Sequence, residues 1–478
     1  MESKRASWSG HLAFVMAAAA SAIGLGNLWR FPYLAAQYGG GTFIAIYLLL
    51  VVALGCPLML TEIAIGRKTR QSQLTAFSRL KRGWGFVGVL GTVIPVLILP
   101  YYCVIGGWVI KYLATYGAMA FLGAQPLGAE AADSAAFFNG FIADGLVPFG
   151  FAALFVVLSA AVIVMGVRKG IEKSNVVLMP ALLVLALALA AYVALLPGSG
   201  AGVGYYLIPS ADALRGSDGT FSFAQLAKTI LGAMGQMFYS GSLAMGIMIT
   251  YGSYMRREDS IVKSVFRIEF FDTLIALIAG FMIIPIVFLF AQKTGTPVKE
   301  AMNVGPGLMF VTLPKVFAMF GAAGAWVGFV FFALVLFAAL TSAISMYETC
   351  VAAACDVTRL GRRAATFLVG LVTVALASLS ALGYGLWSSV TVCGMKFLDF
   401  FDFITNSFLM PIVCVATCVF VGWVLKPRQI VEEVEAGGGG FFGQRLYSLV
   451  VRYLAPLFVV AILVSEVCRA FGVGGWRI

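Results

Sequence analysis

The chain has 478 residues, of which 61% are hydrophobic and 11% are charged, whereas a soluble domain carries roughly 25% charged residues. Mean hydropathy is +0.98, so the chain holds more apolar side chain than a soluble fold accommodates. These values exclude an ordinary soluble enzyme, a disordered chain and a disulfide-rich secreted module. The net charge of +11 is typical of basic cytoplasmic loops, so we expect a lipid bilayer rather than nucleic acid as partner.

Apolar runs long enough to cross a bilayer, about 20 residues each, recur along the whole chain. They lie near 11–37, 41–66, 86–120, 148–166, 173–196, 224–255, 261–291, 325–355, 361–381, 388–424 and 446–472. The sequence therefore predicts an all-α membrane protein with eleven transmembrane helices.

Basic residues are concentrated after the even-numbered spans, at 67–82, 168–173, 256–267 and 359–363. The loop 121–147 has no basic residue, whereas 197–223 has only Arg215. The positive-inside rule then places the N-terminus in the cytoplasm, and an odd number of spans places the C-terminus outside. The first apolar run continues without a convincing cleavage site, so we expect a retained helix rather than a signal peptide.

Two spans carry glycine and polar residues at mid-membrane depth, in 21–27 of the first and 240–246 of the sixth. Close helix packing also explains isolated glycines. However, the two segments are five helices apart, an odd number, so the second set of five is inverted relative to the first. A pair of interrupted helices in two inverted halves indicates a transporter binding site near the bilayer centre.

The spans predict the organisation of the chain. It consists of an N-terminal cytoplasmic segment 1–10, a first inverted repeat 11–196, an extracellular loop 197–223, a second inverted repeat 224–424 with an extracellular loop 292–324, a cytoplasmic linker 425–445, and a last helix with extracellular C-terminus 446–478. We expect one or two short helices in 292–324, and a polar, flexible linker in 425–445 because of its glutamates and glycine run.

Cysteine and histidine give no sign of metal or catalytic chemistry. The eight cysteines lie mostly in apolar runs without CxxC spacing, which favours buried hydrophobic packing. His11 is the single histidine, so it cannot build a zinc site or a serine-type triad alone.

Several motifs in order resemble the neurotransmitter:sodium symporter family. They are Arg5 with Trp8, the segment 21–33, the glycines 39–41, the segment 57–67, the segment 236–254, Thr341 with Ser342, and Asp402. The resemblance covers almost the whole chain. It implies a bacterial sodium-coupled amino-acid transporter of the inner membrane, with a 5+5 inverted repeat, broken helices 1 and 6, and one extra C-terminal helix.

The resemblance implies two sodium sites built from oxygen ligands, which suit a hard cation. The first uses Ala22, Asn27, Ser240 and Asp272; the second uses Ala20, Ile23, Ala338, Thr341 and Ser342. The spacing of Ala338, Thr341, Ser342 and Ser345 places them on one helix face. Apart from the resemblance, such hydroxyls more often bond to their own helix backbone.

Asp272 departs from the asparagine found in many family members. Chloride-dependent relatives hold an anion near Tyr47, Gln236 and Ser240, with a serine where this chain has Ala276. Two sodium ions and a substrate ammonium are already balanced in large part by the substrate carboxylate and Asp272, so we expect no chloride. The alternative is that Asp272 is protonated, or paired with Arg267 or another basic group.

The resemblance also implies a substrate pocket, with Tyr102 contacting the substrate carboxylate. Its residues are Ser21, Ala22, Leu25, Gly26, Ile98, Tyr102, Tyr239, Ser240, Ser242, Ala244, Met245, Ser342 and Met346. None of these is charged, so a charged substrate side chain would lose its hydration without gaining a partner. We therefore expect a neutral, mainly hydrophobic amino acid.

Two gates follow from the same resemblance and would open alternately. The extracellular gate consists of Arg30, Asp402, Tyr102 and Tyr239; the cytoplasmic gate consists of Arg5, Trp8, Ser253, Tyr254 and Asp356. Glu62 is interpreted as a structural acceptor for N–H groups freed at the helix breaks.

Other function classes are less consistent with the sequence. A membrane enzyme would need a constellation such as HExxH or GxSxG with a base, and neither occurs. A channel would usually show a repeated selectivity motif in a smaller subunit. A substrate sensor, or a transporter driven by protons through Asp272, remains an alternative on the same fold. We expect a monomer or a weak homodimer.

Overall fold

The computed structural model describes residues 6–124, 133–216, 219–302, 305–358, 360–437, 441 and 443–470. Its helices, in chain order, are α1 His11–Ala22, α2 Gly26–Gln37, α3 Gly41–Thr69, α4 Gln73–Leu80, α5 Gly85–Leu122, α6 Asp133–Ala143, α7 Val147–Val164, α8 Val167–Leu195, α9 Gly200–Leu207, α10 Phe223–Ser240, α11 Ile247–Gly252, α12 Ile261–Thr294, α13 Leu308–Ala318, α14 Ala322–Val357, α15 Arg362–Leu382, α16 Phe397–Leu425, α17 Pro427–Glu435 and α18 Gln444–Cys468.

The helices confirm an all-α membrane architecture. Within the described ranges, nine of them are long and apolar enough to cross a bilayer, and α1 with α2 forms a tenth span that bends by 53° at its break. Helices α10 and α11 are separated by residues 241–246, and neither is among the helices that are long and apolar enough to cross a bilayer alone. The count of eleven requires this interrupted pair to act as one span, and it stays a prediction.

The helices divide into central and peripheral groups by burial. Within the most apolar stretch of each helix, 78% of the residues are buried in α5, but only 28% in α8 and 28% in α18. Glycines allow the central helices to approach closely. A Cβ at Gly328 of α14 would lie 2.3 Å from the Tyr116 ring of α5. The exposed apolar sides of α8 and α18 are suited to contact with lipid.

The inter-span segments contain more helix than the sequence indicates. Helix α6 lies in the predicted loop 121–147, and α9 lies in 197–223. The loop 292–324 holds two short helices, Val298–Ala301 and α13.

The predicted flexible linker 425–445 contains α17, whose inner side buries Ile430, Val431 and Val434. The apolar residues recur at one face of this short helix, so the segment packs instead of remaining fully solvated. Glu433 on the same helix is also buried and pairs with Arg67 of α3 at 2.8 Å. Its glycine run, 437–440, lies mostly outside the described residues.

Candidate substrate and cation site

The break between α1 and α2 is held open by side chains from neighbouring helices. Helix α1 ends at Ala22, and Ile23 is extended with φ −74° and ψ 95°. Tyr102 Oη accepts the Leu25 N–H at 3.4 Å, and Gln236 Nε2 donates to the Gly26 carbonyl at 3.2 Å. These bonds satisfy backbone groups that a continuous helix would satisfy internally, as membrane depth requires. Helix α2 then opens with a π-helical turn, Gly26–Arg30.

The second break, 241–246, separates α10 from α11. Ser242 and Ala244 have positive φ of 52° and 61°, a conformation that is uncommon for residues with a Cβ. Glu62 of α3 accepts the Ala244 N–H at 2.6 Å. This contact confirms the interpretation of Glu62 as an acceptor for backbone freed at a break.

Asp272 of α12 joins both breaks through its buried carboxylate. Ser240 Oγ lies 2.8 Å from each carboxylate oxygen, and Asn27 Nδ2 donates to Oδ1 at 2.8 Å. Asn27 Oδ1 in turn accepts the Gly24 N–H at 3.3 Å. The predicted first-site residues Asn27, Ser240 and Asp272 therefore meet, and their oxygens are of the kind that a hard cation prefers.

The alternative pairing of Asp272 with Arg267 does not occur in the structure. Arg267 lies near the N-terminal end of α12, where its Nη1 is 3.1 Å from Nδ1 of His11. His11 also contacts Ser264 Oγ at 2.9 Å. The single histidine therefore joins the start of α1 to α12.

The second predicted cation site brings α14 against the end of α1. Ser342 Oγ donates to the carbonyl oxygens of Ser21 and Ile23 at 3.0 and 3.2 Å. Thr341 Oγ1 instead bonds within its own helix, to the Phe337 and Ala338 carbonyls at 3.1 and 3.0 Å. The hydroxyl of Thr341 thus follows the general tendency of threonine in membrane helices, and its oxygen keeps lone pairs that could bind a cation. Ala20 and Ala338 are both buried.

A central cavity of about 30 Å³ lies between the two breaks. That volume holds roughly two water molecules, so a substrate needs its walls to move. Twelve of the thirteen predicted pocket residues line it, and no lining side chain is charged. The lining consists of Ser21, Ala22, Gly24, Leu25, Gly26, Asn27, Ile98, Tyr102, Tyr239, Ser240, Ser242, Met245, Ile247, Ser342 and Met346. Ala244 is the predicted residue outside this lining.

A second cavity of about 500 Å³, the outer vestibule, lies on the side predicted to be extracellular. Arg30, Asp402, Tyr102 and Tyr239 all line it. The predicted Arg30–Asp402 ion pair is not formed: the guanidinium of Arg30 lies 5.3 Å from the centre of the Tyr239 ring. Asp402 Oδ1 is instead bonded to Tyr101 Oη at 3.1 Å and to Asn406 Nδ2 at 2.6 Å. In this structure the two charged side chains therefore contact different partners.

The opposite side is closed around Trp8, which is fully buried. Its indole donates to the Tyr251 carbonyl at 3.1 Å, and its backbone N–H donates to the Tyr254 carbonyl at 3.2 Å. Tyr254 Oη donates to Glu348 at 2.7 Å. Asp356 accepts the Ser72 N–H at 2.7 Å, while its predicted partner Arg5 lies outside the described residues.

Ser253 closes the same side through its backbone. Its carbonyl accepts Nη1 of Arg70 at 3.3 Å. Burial, together with the charges of Arg257 and Arg67, lowers the pKa of Arg70. The Ser253 hydroxyl donates to the Thr250 carbonyl at 2.5 Å.

Several site residues were missed by sequence reasoning. Arg362 forms an ion pair with the fully buried Glu348 at 2.5 Å, and Tyr101 and Asn406 hold Asp402. Glu269 lies one helical turn before Asp272, is 5% exposed, and has an Oε1 with no hydrogen-bond partner. Glu269 could have been found from the sequence, because its spacing of three residues from Asp272 places the two acids on one helix face.

The sodium:neurotransmitter symporter family model matches residues 5–121 and 137–473. The chain belongs to this family. Its relatives include a sodium-dependent transporter of Haemophilus influenzae, 30% identical over 97% of this chain and 98% of that protein. YhdH of Bacillus subtilis, another sodium-dependent transporter, is 32% identical over 97% of this chain and 98% of that protein. The symporter is therefore a multi-pass membrane transporter and not an enzyme.

A solved structure has the same fold as the symporter. MhsT in complex with L-phenylalanine superposes with a TM-score of 0.82 at 34% identity, covering 97% of this chain and 100% of that chain. The resemblance drawn from the sequence motifs is thus confirmed at the level of family and fold.

Proposed function

We propose that the protein is a sodium:amino-acid symporter that imports a neutral, mainly hydrophobic L-amino acid by alternating access. The central cavity carries this proposal: it lies between two interrupted helices and has no charged lining side chain. A charged substrate side chain would be desolvated there without a partner. The neighbouring structure was solved with L-phenylalanine, whose side chain is neutral and apolar.

The main-chain groups of the substrate find opposite partial charges at the breaks. The C-terminal end of α1 presents carbonyl oxygens, which favour an ammonium group, whereas the N-terminal end of α2 favours a carboxylate. Tyr102 Oη lies at the start of this gap, where it accepts the Leu25 N–H at 3.4 Å. Its hydroxyl hydrogen is suited to donate to a substrate carboxylate.

Two groups of oxygens would hold sodium, which couples transport to the ion gradient. The first group is Ala22, Asn27, Ser240 and Asp272, completed by the substrate carboxylate. The second group is Ala20, Ile23, Ala338, Thr341 and Ser342. Ser342 belongs to the second group and also lines the central cavity. Cation binding and substrate binding would therefore be linked through one side chain.

We further propose that chloride is not required. The Asp272 carboxylate is already bonded to Ser240 and Asn27 at 2.8 Å, close to Tyr47 and Gln236, where chloride-dependent relatives hold an anion. Ala276 is buried and offers no hydroxyl to an anion. A fixed carboxylate thus supplies the negative charge that chloride supplies elsewhere.

Uptake into proteoliposomes tests the proposed function. Radiolabelled phenylalanine should accumulate under an inward sodium gradient, and not under matched potassium or proton gradients. A competition panel of the twenty amino acids should show inhibition by neutral apolar ones and none by lysine or glutamate. Accumulation driven by the proton gradient alone would favour the proton-coupled alternative, and binding without accumulation would favour a sensor.

A separate experiment tests the chloride requirement. Replacing chloride by gluconate at constant sodium should leave the initial rate unchanged. A rate that collapses in gluconate would overturn chloride independence while leaving sodium symport intact.

The membrane orientation is part of the proposal. The basic clusters at 67–82 and 256–267 would face the cytoplasm, with an extracellular C-terminus. The outer vestibule would then open to the outside of the bacterial inner membrane.

A further inference from the structure

We propose that Asn406 is a positioning residue that holds the outer gate open by binding Asp402 in competition with Arg30. The inference rests on the proposed alternating-access function. It assigns to Asn406 and Tyr101 a role in the equilibrium between open and closed gate, separate from substrate or cation binding.

The first argument is the hydrogen bonding of Asp402. Its Oδ1 receives Asn406 Nδ2 at 2.6 Å and Tyr101 Oη at 3.1 Å, and Asn406 Nδ2 also lies 3.4 Å from Tyr101 Oη. Hydrogen bonds to an ionised carboxylate are among the strong ones in proteins. The three groups therefore form a closed set that fixes the carboxylate on the α16 and α5 side of the vestibule.

The second argument is the orientation of the Asn406 amide. Its Oδ1 is buried and has no hydrogen-bond partner, so within the described residues the polar contacts of the amide are those of Nδ2. A buried amide oxygen without a partner is unfavourable. The Asn406 side chain thus directs Nδ2 toward Asp402, although this orientation leaves Oδ1 without a hydrogen-bond donor.

The third argument is the position of Arg30. Its guanidinium lies 5.3 Å from the centre of the Tyr239 ring, and both residues line the same vestibule. A cation over an aromatic face is stabilised without an acid partner. Each gate charge therefore has a partner of its own in the open arrangement, and gate closure must exchange both sets of contacts for the Arg30–Asp402 pair.

The local backbone is consistent with a moving part. Asn406 lies four residues after Asp402, within a π-helical stretch, Phe403–Leu409. Segments of π-helix inside longer helices occur frequently at functional sites. Asn406 and Asp402 lie on the same side of α16, since Asn406 Nδ2 contacts Asp402 Oδ1.

Labelling of a cysteine below the gate tests the proposal. Ile98 lines the central cavity but not the outer vestibule, so Ile98→Cys is introduced with exposed Cys393 replaced by serine. A membrane-impermeant thiol reagent is added to intact cells, and the labelling rate is measured. Asn406→Leu keeps the side-chain size but removes the donor. If the gate is mostly open in the parent, a roughly tenfold shift of the open–closed equilibrium toward the closed state lowers the open fraction about twofold. We therefore expect the labelling rate of Asn406→Leu to fall about twofold or more.

Two further variants separate gating from misfolding. Tyr101→Phe removes the second hydrogen bond to Asp402 and should slow labelling in the same direction. Ser407→Ala is the matched control, because Ser407 lines the same vestibule and bonds Glu466 at 3.3 Å rather than Asp402. Its labelling rate should equal that of the parent.

A double variant tests the competition itself. In an Arg30→Gln background, Asp402 has lost its proposed gate partner, so adding Asn406→Leu should leave the labelling rate unchanged. An unchanged or faster rate for Asn406→Leu with Arg30 present would overturn the proposal. Loss of sodium-driven uptake by the parent protein would instead contradict the proposed function, so the two failures are distinguishable.

Discussion

Asp272 carries a carboxylate at a depth where an unpaired charge costs about 2.5–3.5 kcal/mol on insertion scales. Its contacts with Asn27 and Ser240 reduce this cost, and a sodium ion would reduce it further. At the residue scale, a buried charge in this protein marks a position where an ion or a partner is expected.

Removal of the Asp272 charge should weaken transport and restore a need for chloride. We expect Asp272→Asn to lower sodium-driven uptake about tenfold, which corresponds to about 1.4 kcal/mol. The double variant Asp272→Asn with Ala276→Ser adds the hydroxyl that chloride-dependent relatives have, and its uptake should recover in chloride but not in gluconate. Equal uptake by Asp272→Asn and the parent in both media would contradict the role given to this carboxylate.

Gly24 should tolerate no side chain. A Cβ there would lie 2.7 Å from Ser342 Oγ and 3.2 Å from Tyr102 Oη, two groups that line the cavity. We expect Gly24→Ala to abolish substrate binding while the expression level of the protein is retained. Gly150→Ala in α7 is the control, since nothing lies within 4 Å of its added Cβ. Binding by Gly24→Ala at the parent level would show that the cavity wall yields more than this geometry implies.

At the scale of elements, α17 is the clearest addition to the predicted architecture. Arg67 is fully buried and reaches Glu433 Oε1 at 2.8 Å, the Glu433 carbonyl, and the Asp259 carbonyl at 2.7 Å. One guanidinium therefore ties α3, α17 and the segment between α11 and α12 together. The glutamates that made 425–445 resemble a solvated linker include the buried partner of this ion pair.

Breaking the Arg67–Glu433 pair should destabilise the protein strongly. Removal of one member of a buried ion pair typically costs about 3–5 kcal/mol, so Glu433→Gln should lower the thermal midpoint in detergent. Arg428 and Glu432 of the same helix form an exposed pair, with side chains 87% and 55% accessible. Glu432→Gln should cost about 0–1 kcal/mol. Similar midpoints for the two variants would argue against an anchoring role for α17.

At the scale of the whole molecule, the described structure has a wide outer vestibule of about 500 Å³, a narrow central cavity of about 30 Å³ and a closed opposite side around Trp8. Under the proposed function, this arrangement is one end of an alternating-access cycle. The bonds of Trp8, Tyr254 and Glu348 would then have to break before the site opens to the other side.

Sodium should stabilise this arrangement against heat. A ligand that binds only the folded state raises its stability by about 2.7 kcal/mol at one hundred times its dissociation constant. The thermal midpoint in detergent should therefore rise when potassium is replaced by sodium at constant ionic strength, and phenylalanine should raise it further only with sodium present. Asp272→Asn should show a smaller sodium effect. Equal midpoints in sodium and potassium would contradict direct sodium binding.

The sequence by itself determined the membrane class, the helical architecture, the family and most of the cavity lining. These follow from apolar length, charge placement and ordered local motifs, which are properties of contiguous residues. The break at 21–27, for example, was visible because glycines and Asn27 interrupt an apolar run. Glu62 was interpretable because a buried acid needs a backbone or charged partner.

Tertiary structure decided which groups meet across the fold. Asp402 bonds Tyr101 rather than Arg30, Ser342 reaches the Ser21 carbonyl, and Glu433 faces Arg67. Each choice depends on the relative placement of helices far apart in the chain and on the state of the gate. Local patterns limit which partners a polar group can have, but the packing of distant helices selects among them.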